Sequence, residues 1–270
     1  MSSAVRQPAV AGRFYPGDAK SLLRDVESYV AVSGEKISAL GCVVPHAGYM
    51  YSGHVAGAVY ARLELPRRYV ILCPNHTGAG EPLAIMSAGT WRTPLGEARI
   101  DHVLAEELMR GYQWLTEDAA AHRSEHALEV QLPFLQALAP EFSFVPIALG
   151  TANYEVLASL GKAIATVLAA QKEKVLIIAS SDMNHYEPEA ITRVKDGKAI
   201  EKLLAMDARG LYEVVVAKDI SMCGFGPAVA MLTAAGRLGA KSAELVKYAT
   251  SGDISGDLSA VVGYAGVIVS

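Results

Sequence analysis

The chain has 270 residues, of which 51% are hydrophobic and 19% are charged, and its formal net charge is -4. This composition is typical of a folded globular protein and argues against extensive disorder. Because no cluster of lysine and arginine forms a basic stripe, we do not expect nucleic acid as a partner.

The sequence indicates a cytoplasmic protein that does not cross a membrane. Its longest apolar stretch, residues 258–269, contains two glycines and is too short to span a bilayer. The first residues carry no apolar signal core. Three cysteines cannot all pair with one another, which fits a reducing compartment. Cys42 and Cys73 lie in apolar segments and are expected in the core, whereas Cys223 has a different setting.

Apolar segments of strand length alternate with segments of helical periodicity along the chain. The predicted strands cover residues 40–45, 69–73, 83–87, 142–149, 174–181, 243–250 and 260–269. The predicted helices cover residues 18–32, 53–63, 101–110, 124–138, 154–170, 191–205 and 227–238. This alternation predicts one layered α/β domain over residues 1–270, with a central, largely parallel β-sheet flanked by helices. A hairpin between the last two strands would make the sheet mixed.

Three histidines directly follow predicted strands. His46 comes after the first strand, His76 after the second and His185 after the fifth. Ligands bind beyond the carboxyl ends of the strands in α/β sheets, so parallel pairing would gather these rings at one edge. A single histidine here is usually a loop residue, but three favour a metal or ligand site. Asp182 is a candidate to orient His185, although it could equally cap a helix or stabilise a turn.

Cys223 precedes an apolar helix in which Pro227 suits the first position. The dipole at a helix N-terminus favours a thiolate, which is the form of cysteine that binds metal. A cysteine beside a glycine is more often structural. Together with two histidines, however, Cys223 could complete a two-His, one-Cys metal site.

A second polar cluster contains Ser124, Glu125 and His126. Ser124 could cap the helix predicted at residues 124–138, and Glu125 would then lie in its first turn. That structural role leaves His126 unexplained. Tyr49 flanks the loop of His46 and could line a pocket.

Short motifs spread along the chain resemble those of one protein family. They are AGRFYP at 11–16, PHAGY at 45–49, PNH at 74–76, WRTPLG at 91–96, SEHALE at 124–129 followed by LP, SSD at 180–182 followed by His185, and CG at 223–224. In this order they resemble the Memo family nearly from end to end.

The resemblance implies a fold similar to that of class III, extradiol-type non-haem iron dioxygenases. His46 and His76 match two metal ligands of the family, and Cys223 matches the third. The remaining residues that the resemblance places near the metal, as catalytic or pocket residues, are His185, Asp182, Glu125, His126, Tyr49 and Asn75.

The expected metal is iron, but two nitrogens and one sulfur also suit copper or zinc. The related dioxygenases use a carboxylate as the third ligand, in a facial triad that activates oxygen. No Asp or Glu occupies the matching position here, and a thiolate is a softer and stronger electron donor. Ring cleavage is therefore not carried over to this chain.

Three functions remain open at this point. The first is a metal-dependent oxidoreductase in which His185 acts as general acid or base. The second is a non-catalytic protein that holds a peptide, a metabolite or other small molecule, or a metal in the same cleft. The third is metal-free chemistry with Cys223 as nucleophile.

Microbial relatives are grouped with a radical-SAM protein and an AMMECR1-like protein, which implies these as functional partners by association. Animal relatives bind phosphotyrosine peptides, but the sequence shows no arginine cluster for such a ligand.

Overall fold

A twelve-stranded mixed β-sheet forms the centre of the part of the chain that the structure, a computed structural model, describes: residues 5–31, 34–139 and 141–270. Its strands are β1 (Val5–Arg6), β2 (Gly41–Val44), β3 (Arg68–Pro74), β4 (Leu83–Ile85), β5 (Thr90–Thr93), β6 (Gly96–Ile100), β7 (Thr116–Glu117), β8 (Ser143–Leu149), β9 (Val175–Ser180), β10 (His185–Glu187), β11 (Ala243–Thr250) and β12 (Val261–Val269). The helices are α1 (Ala19–Val30), α2 (Tyr49–Arg62), α3 (His102–Gly111), α4 (Ala120–Arg123), α5 (Leu132–Leu138), α6 (Tyr154–Ala169), α7 (Glu189–Leu204), α8 (Ala208–Ala217), α9 (Phe225–Arg237) and α10 (Gly252–Ser255), with a 3-10 turn at Glu129–Gln131.

The middle of the sheet is parallel, and antiparallel pairs lie on both sides of it, including β5 with β6 and β4 with β8. The strand order is β1-β5-β6-β8-β3-β9-β2-β12-β10, with β11 also paired to β12 and β4 to β8. Strands β8, β3, β9 and β2 are parallel neighbours, whereas β12 is antiparallel to both β2 and β11. The predicted fold, a layered α/β architecture with a mixed, largely parallel sheet flanked by helices, is therefore confirmed.

The central strands are covered on both faces, which explains their continuous apolar sequences. All four residues of β2 and all six residues of β9 are buried. Alternate side chains enter two cores: Val43 belongs to the core that contains α3, α6 and α9, while Cys42 and Val44 belong to the core under α1, α2 and α5. Cys42 and Cys73 are fully buried, as predicted. Among the described residues, no helix has the length and apolarity needed to cross a membrane.

All seven predicted strands and six of the seven predicted helices are present, with small shifts at their ends. Helix α2 begins at Tyr49 rather than at residue 53. Helix α1 ends at Val30, and its predicted end at residue 32 lies outside the described residues. Helix α8 was not predicted, nor were the short strands β1, β5, β6, β7 and β10.

The helix predicted at residues 124–138 is wrong over its first half. Ser124 follows α4 instead of capping a helix, and Glu125 and His126 lie in a loop. The buried carboxylate of Glu125 accepts the backbone N–H of Ala127. This local bond from side chain to backbone competes with helical hydrogen bonding.

A buried ion pair between Arg6 and Glu129 holds strand β1 against the loop and 3-10 turn that contain Glu125 and Glu129. Arg6 pairs with Glu129, which also accepts a hydrogen bond of 2.5 Å from the hydroxyl of Tyr15. Arg6 donates further to the carbonyl of Glu125 at 2.6 Å, and its guanidinium lies 4.3 Å from the ring centroid of Trp91. Because both charges are buried, removal of either would leave the other uncompensated.

Asp196 on α7 connects this helix to the β11–β12 hairpin. Its carboxylate accepts hydrogen bonds from the hydroxyl of Tyr248 at 2.7 Å and from the backbone N–H of Asn184 at 2.8 Å. Gly263 passes so close that a Cβ at this position would overlap the carboxylate. Burial raises the pKa of Asp196 from 3.8 to about 6, against the opposing effect of the two hydrogen bonds.

Replacement of this carboxylate is expected to change the pH dependence of stability. Because the pKa is raised on folding, Asp196 stabilises the folded state below pH 3.8, and this contribution is lost as the pH rises through about 6. The loss amounts to about 3 kcal/mol of unfolding free energy. In Asp196→Asn this loss should disappear, because an amide does not titrate. Urea denaturation between pH 4 and pH 7 measures the difference from wild type.

Glu201→Gln, an exposed carboxylate-to-amide change on the same helix, serves as the control and should keep the wild-type slope. Parallel pH profiles for wild type and Asp196→Asn would contradict the raised pKa of Asp196.

Candidate metal centre

Three parallel strands end side by side, and each is followed by a polar residue. In the sheet β9 lies between β2 and β3, with Val44 paired to Ser180 at the ends of their strands. His46 and His76 lie two residues beyond β2 and β3, and Asp182 lies two residues beyond β9. The loops therefore leave the sheet at the same edge, as in other α/β ligand sites.

His46, His76 and Cys223 meet at this edge. Each offers one ligand atom, and these atoms lie within 4.8 Å of one another. The Sγ of Cys223 is 3.2 Å from Nε2 of His46, and the rings of His46 and His76 have centroids 5.3 Å apart. Nitrogen and sulfur ligands of one ion are separated by roughly 3 to 4 Å when they bind at about 2.0 to 2.3 Å. The distance between Cys223 and His46 falls in this range, and all three atoms are close enough to be candidate ligands of one ion.

Cys223 is held by the close contact between α9 and the end of β9. Gly224, at the N-cap of α9, donates its backbone N–H to Ser181 at 3.1 Å. A Cβ at Gly224 would overlap Ser181 and the carbonyl of Ser180, so this approach requires glycine.

The thiolate expected from the helix N-terminus is not favoured in the metal-free protein. Burial raises the pKa of the Cys223 thiol well above its usual range, and the nearby carboxylate of Asp182 acts in the same direction. The helix dipole is therefore outweighed. A bound cation would reverse this balance, because metal binding deprotonates a coordinating thiol.

His76 is oriented by a buried carboxylate. Its Nδ1 donates to Glu125 at 3.0 Å and its backbone N–H donates to the same carboxylate at 2.6 Å. Burial raises the pKa of Glu125, but the bonds from His76 and from Ala127 outweigh this effect and lower that pKa to about 2. Histidine ligands of metals are commonly oriented by a carboxylate in this way. The bond leaves Nε2 of His76 as the free ring nitrogen.

His126 stacks on His76, with ring centroids 4.8 Å apart and an interplanar angle of 22°. Together with Glu125 these two residues form a second group with ligand atoms within 4.8 Å. Because Glu125 already accepts the Nδ1–H of His76, we interpret this group as support for His76. Burial lowers the pKa of His126, which keeps this ring neutral at pH 7.

Asp182 and His185 both line the cleft, but they do not orient each other. Asp182 accepts the backbone N–H groups of His46 at 2.7 Å and Ala47 at 3.3 Å, so it shapes the His46 loop. His185 instead places Nδ1 2.9 Å from the carbonyl of Ser221. The predicted orienting bond from Asp182 to His185 is therefore replaced by the bond to Ser221.

The cleft has a volume of about 480 Å³. Its polar lining includes His46, His76, His126, Asp182, His185, Ser221 and Cys223. Phe14, Tyr186 and Tyr264 contribute aromatic walls, and none of them was singled out from the sequence as a site residue. Tyr186 adopts a positive φ of 59° and is 78% exposed at the rim. Phe14 lies within one of the motifs that carried the family resemblance, which was the available signal.

Tyr49 and Asn75, both predicted to line the pocket, lie outside the cleft lining. Tyr49 is buried in the core, and its hydroxyl donates to the carbonyl of Val130 at 2.6 Å. The side chain of Asn75 accepts backbone N–H groups from Thr77 and Gly78. Asn75 therefore shapes the loop after His76 and does not contact the cleft.

Fold and site together define a class: an α/β protein with a candidate metal-binding cleft at the carboxyl ends of its parallel strands. The sequence profile described as "Memo-like protein" matches residues 6–268, and the chain belongs to the Memo family. It is 45% identical to a MEMO1 family protein of Methanosarcina barkeri over 98% of this chain and 100% of the relative. It is 43% identical to a MEMO1 family protein of Methanocaldococcus jannaschii over 98% of this chain and 99% of the relative.

A solved structure shares the fold at low sequence identity. The crystal structure of an uncharacterized protein from Escherichia coli K12 superposes with a TM-score of 0.57 and 13% identity. The superposition covers 84% of this chain and 98% of the Escherichia coli chain. At this identity the likeness concerns the fold alone.

Glu125→Gln is expected to weaken the binding of Zn²⁺ roughly 10- to 100-fold, because an amide cannot accept all the N–H groups that the carboxylate now accepts. Competition with a chelator measures the affinity. Glu106→Gln is the matched control, since Glu106 contacts His102 in an exposed pair on α3. Equal affinities for Glu125→Gln and the control would show that Glu125 does not support a metal ligand.

Proposed function

We propose that this protein is a metal-dependent oxidoreductase whose ion is held by His46, His76 and Cys223, with iron as the expected metal. The observation that carries the proposal is the approach of these three ligand atoms, from three separate segments, to within 4.8 Å of one another. Copper and zinc accept the same donor set.

The protonation state of His46 supports this proposal. For His76, burial lowers the pKa but the bond to Glu125 outweighs this effect and raises it, so a bound cation must compete there with a proton. Burial lowers the pKa of His46 well below its usual range, with a further lowering from the neighbouring rings of His126 and His76. The ring is therefore neutral at pH 7, which is the form that binds metal.

The charges around the cleft also favour a cation. The carboxylates of Glu125 and Asp182 are buried beside the candidate ligands. The nearest buried guanidinium, that of Arg6, is paired with Glu129. A divalent ion would offset this negative charge and stabilise the thiolate of Cys223.

Within this site His185 is suited to accept a proton. Its Nδ1 lies 2.9 Å from the carbonyl of Ser221, and a carbonyl can only accept, so Nδ1 carries the hydrogen. This leaves Nε2 as the basic nitrogen of a ring that lines the cleft. An iron ion with open coordination positions would supply redox chemistry. The chain itself would bind and orient a small substrate between aromatic walls, with His185 as general base.

Elemental analysis of protein purified without oxygen tests the proposal. The wild type is expected to retain close to one equivalent of iron, and Cys223→Ser and His46→Gln are expected to lose roughly nine tenths of it, since each loses a direct ligand. His102→Gln, which changes an exposed histidine on α3, is the control and should retain iron. A wild type without bound iron, copper or zinc would overturn the proposal, and so would full retention by Cys223→Ser.

A second candidate function is binding of an acidic ligand without catalysis. A cavity of about 830 Å³ adjoins the cleft, because Phe14 and His126 line both. Arg13 and Arg123 line this cavity, and no carboxylate side chain does so among the described residues. The two arginines are exposed and form no ion pair within the described part of the chain. An acidic peptide would fit, including a segment of the radical-SAM or AMMECR1-like partners that the family resemblance implies.

Fluorescence anisotropy with a labelled hexaglutamate peptide tests this second candidate. Binding of the peptide is expected to weaken by about tenfold or more in the double variant Arg13→Gln/Arg123→Gln, because the charge-assisted hydrogen bonds from both guanidinium groups are lost. Arg110→Gln on α3 is the control, because Arg110 does not line the cavity. Equal peptide affinity of the wild type, the double variant and Arg110→Gln would rule out this second candidate function.

A further inference from the structure

The ring of His46 has a second nitrogen, Nδ1, that faces a buried hydrogen-bond network. Nδ1 lies 3.0 Å from the hydroxyl of Ser180, the last residue of β9. The same hydroxyl lies 2.5 Å from the carbonyl of Ala127 and 2.8 Å from Nε2 of Gln131. Ser180 and Gln131 are almost completely buried, so these three contacts account for the hydrogen bonding of the hydroxyl.

The orientation of the Gln131 amide follows from its neighbours. Its Nε2 lies 3.0 Å from the carbonyl of Pro45, which can only accept. Its Oε1 accepts the hydroxyl of Tyr60 at 2.9 Å. A flipped amide would place two acceptor oxygens against each other at Pro45. Nε2 therefore donates one hydrogen to Pro45 and the other to Ser180.

The single hydrogen of the Ser180 hydroxyl is also accounted for. The carbonyl of Ala127 lies at 2.5 Å and receives no other hydrogen bond from the described residues, so the hydroxyl must donate to it. One lone pair of the hydroxyl accepts from Gln131. The only role left for the ring nitrogen of His46 is that of a donor, so Nδ1 carries the hydrogen.

We propose that Ser180 is a positioning residue that holds neutral His46 in its Nδ1–H tautomer and so presents an unprotonated Nε2 to the metal. In the opposite tautomer, Nε2–H would point at Sγ of Cys223, 3.2 Å away, and its lone pair would be lost to coordination. The inference deepens the proposed function and rests on it only for the role of the metal. The tautomer itself is a property of the metal-free protein.

This arrangement sets His46 apart from His76 and His185, the other two histidines that were predicted to follow strands. His76 donates to the ionised carboxylate of Glu125 and His185 donates to the carbonyl of Ser221. Neither acceptor has a hydrogen to give, so both tautomers are fixed directly. The hydroxyl of Ser180 could act either way, and the carbonyls of Pro45 and Ala127 decide its direction.

Nuclear magnetic resonance of metal-free protein with ¹⁵N-labelled histidine rings tests the inference at pH 8, where His46 is neutral. The wild type is expected to show a protonated Nδ1 and an unprotonated Nε2 for His46, assigned by comparison with His46→Gln. Ser180→Ala removes the acceptor, and the signal should shift towards the Nε2–H tautomer. Ser159→Ala on α6 removes a partly buried serine that also donates to a carbonyl, and it should keep the wild-type tautomer.

The affinity for Zn²⁺ provides the second readout. Ser180→Ala should bind roughly 10- to 100-fold more weakly than wild type, and Ser159→Ala should not. A wild-type spectrum with Nε2–H, or Ser180→Ala with an unchanged Nδ1–H signal, would overturn the inference. The wild-type spectrum decides the question even where Ser180→Ala does not fold. A wild type with the expected tautomer but without metal affinity would overturn the proposed function alone.

Discussion

The parallel pairing of β2, β9 and β3 determines where the chemistry of this protein can lie. These buried strands end at one edge of the sheet, and the loops that follow them carry His46, Asp182 and His76. The start of α9 contacts the end of β9 through Gly224 and adds Cys223. No single segment contains the site. Any loss of register between these strands would separate the ligand atoms.

A second set of groups, most of them buried, orients the side chains of the site through hydrogen bonds. His46, His76 and His185 each place Nδ1 against a different acceptor: the Ser180 hydroxyl for His46, a carboxylate for His76 and a carbonyl for His185. The loop that supplies the carboxylate is in turn held by Arg6 near the start of the chain, which binds the carbonyl of Glu125. Arg6 on β1 therefore helps to orient His76, a candidate metal ligand, through Glu125.

Sequence periodicity predicted all the long strands. For the central parallel strands the reason is that a strand covered on both faces must be apolar throughout. Periodicity failed over the first half of residues 124–138, where buried carboxylates override helical propensity through contacts far away in sequence. The three ligand candidates could be predicted, since they follow strands or precede a helix. The partner of Asp182 could not, because three residues of separation from His185 say nothing about the His46 loop across the sheet. The pair of arginines in the adjoining cavity could not be predicted either, because Arg13 and Arg123 come from segments that are distant in sequence.

The central claim is that two imidazole nitrogens and one thiolate sulfur bind the same ion. X-ray absorption at the metal edge of the loaded protein tests it most directly. The account predicts one sulfur scatterer at about 2.3 Å together with nitrogen scatterers at about 2.0 to 2.1 Å, two of them showing imidazole features, and the loss of the sulfur signal in Cys223→Ser. A coordination shell of nitrogen and oxygen alone in the wild type would contradict the account.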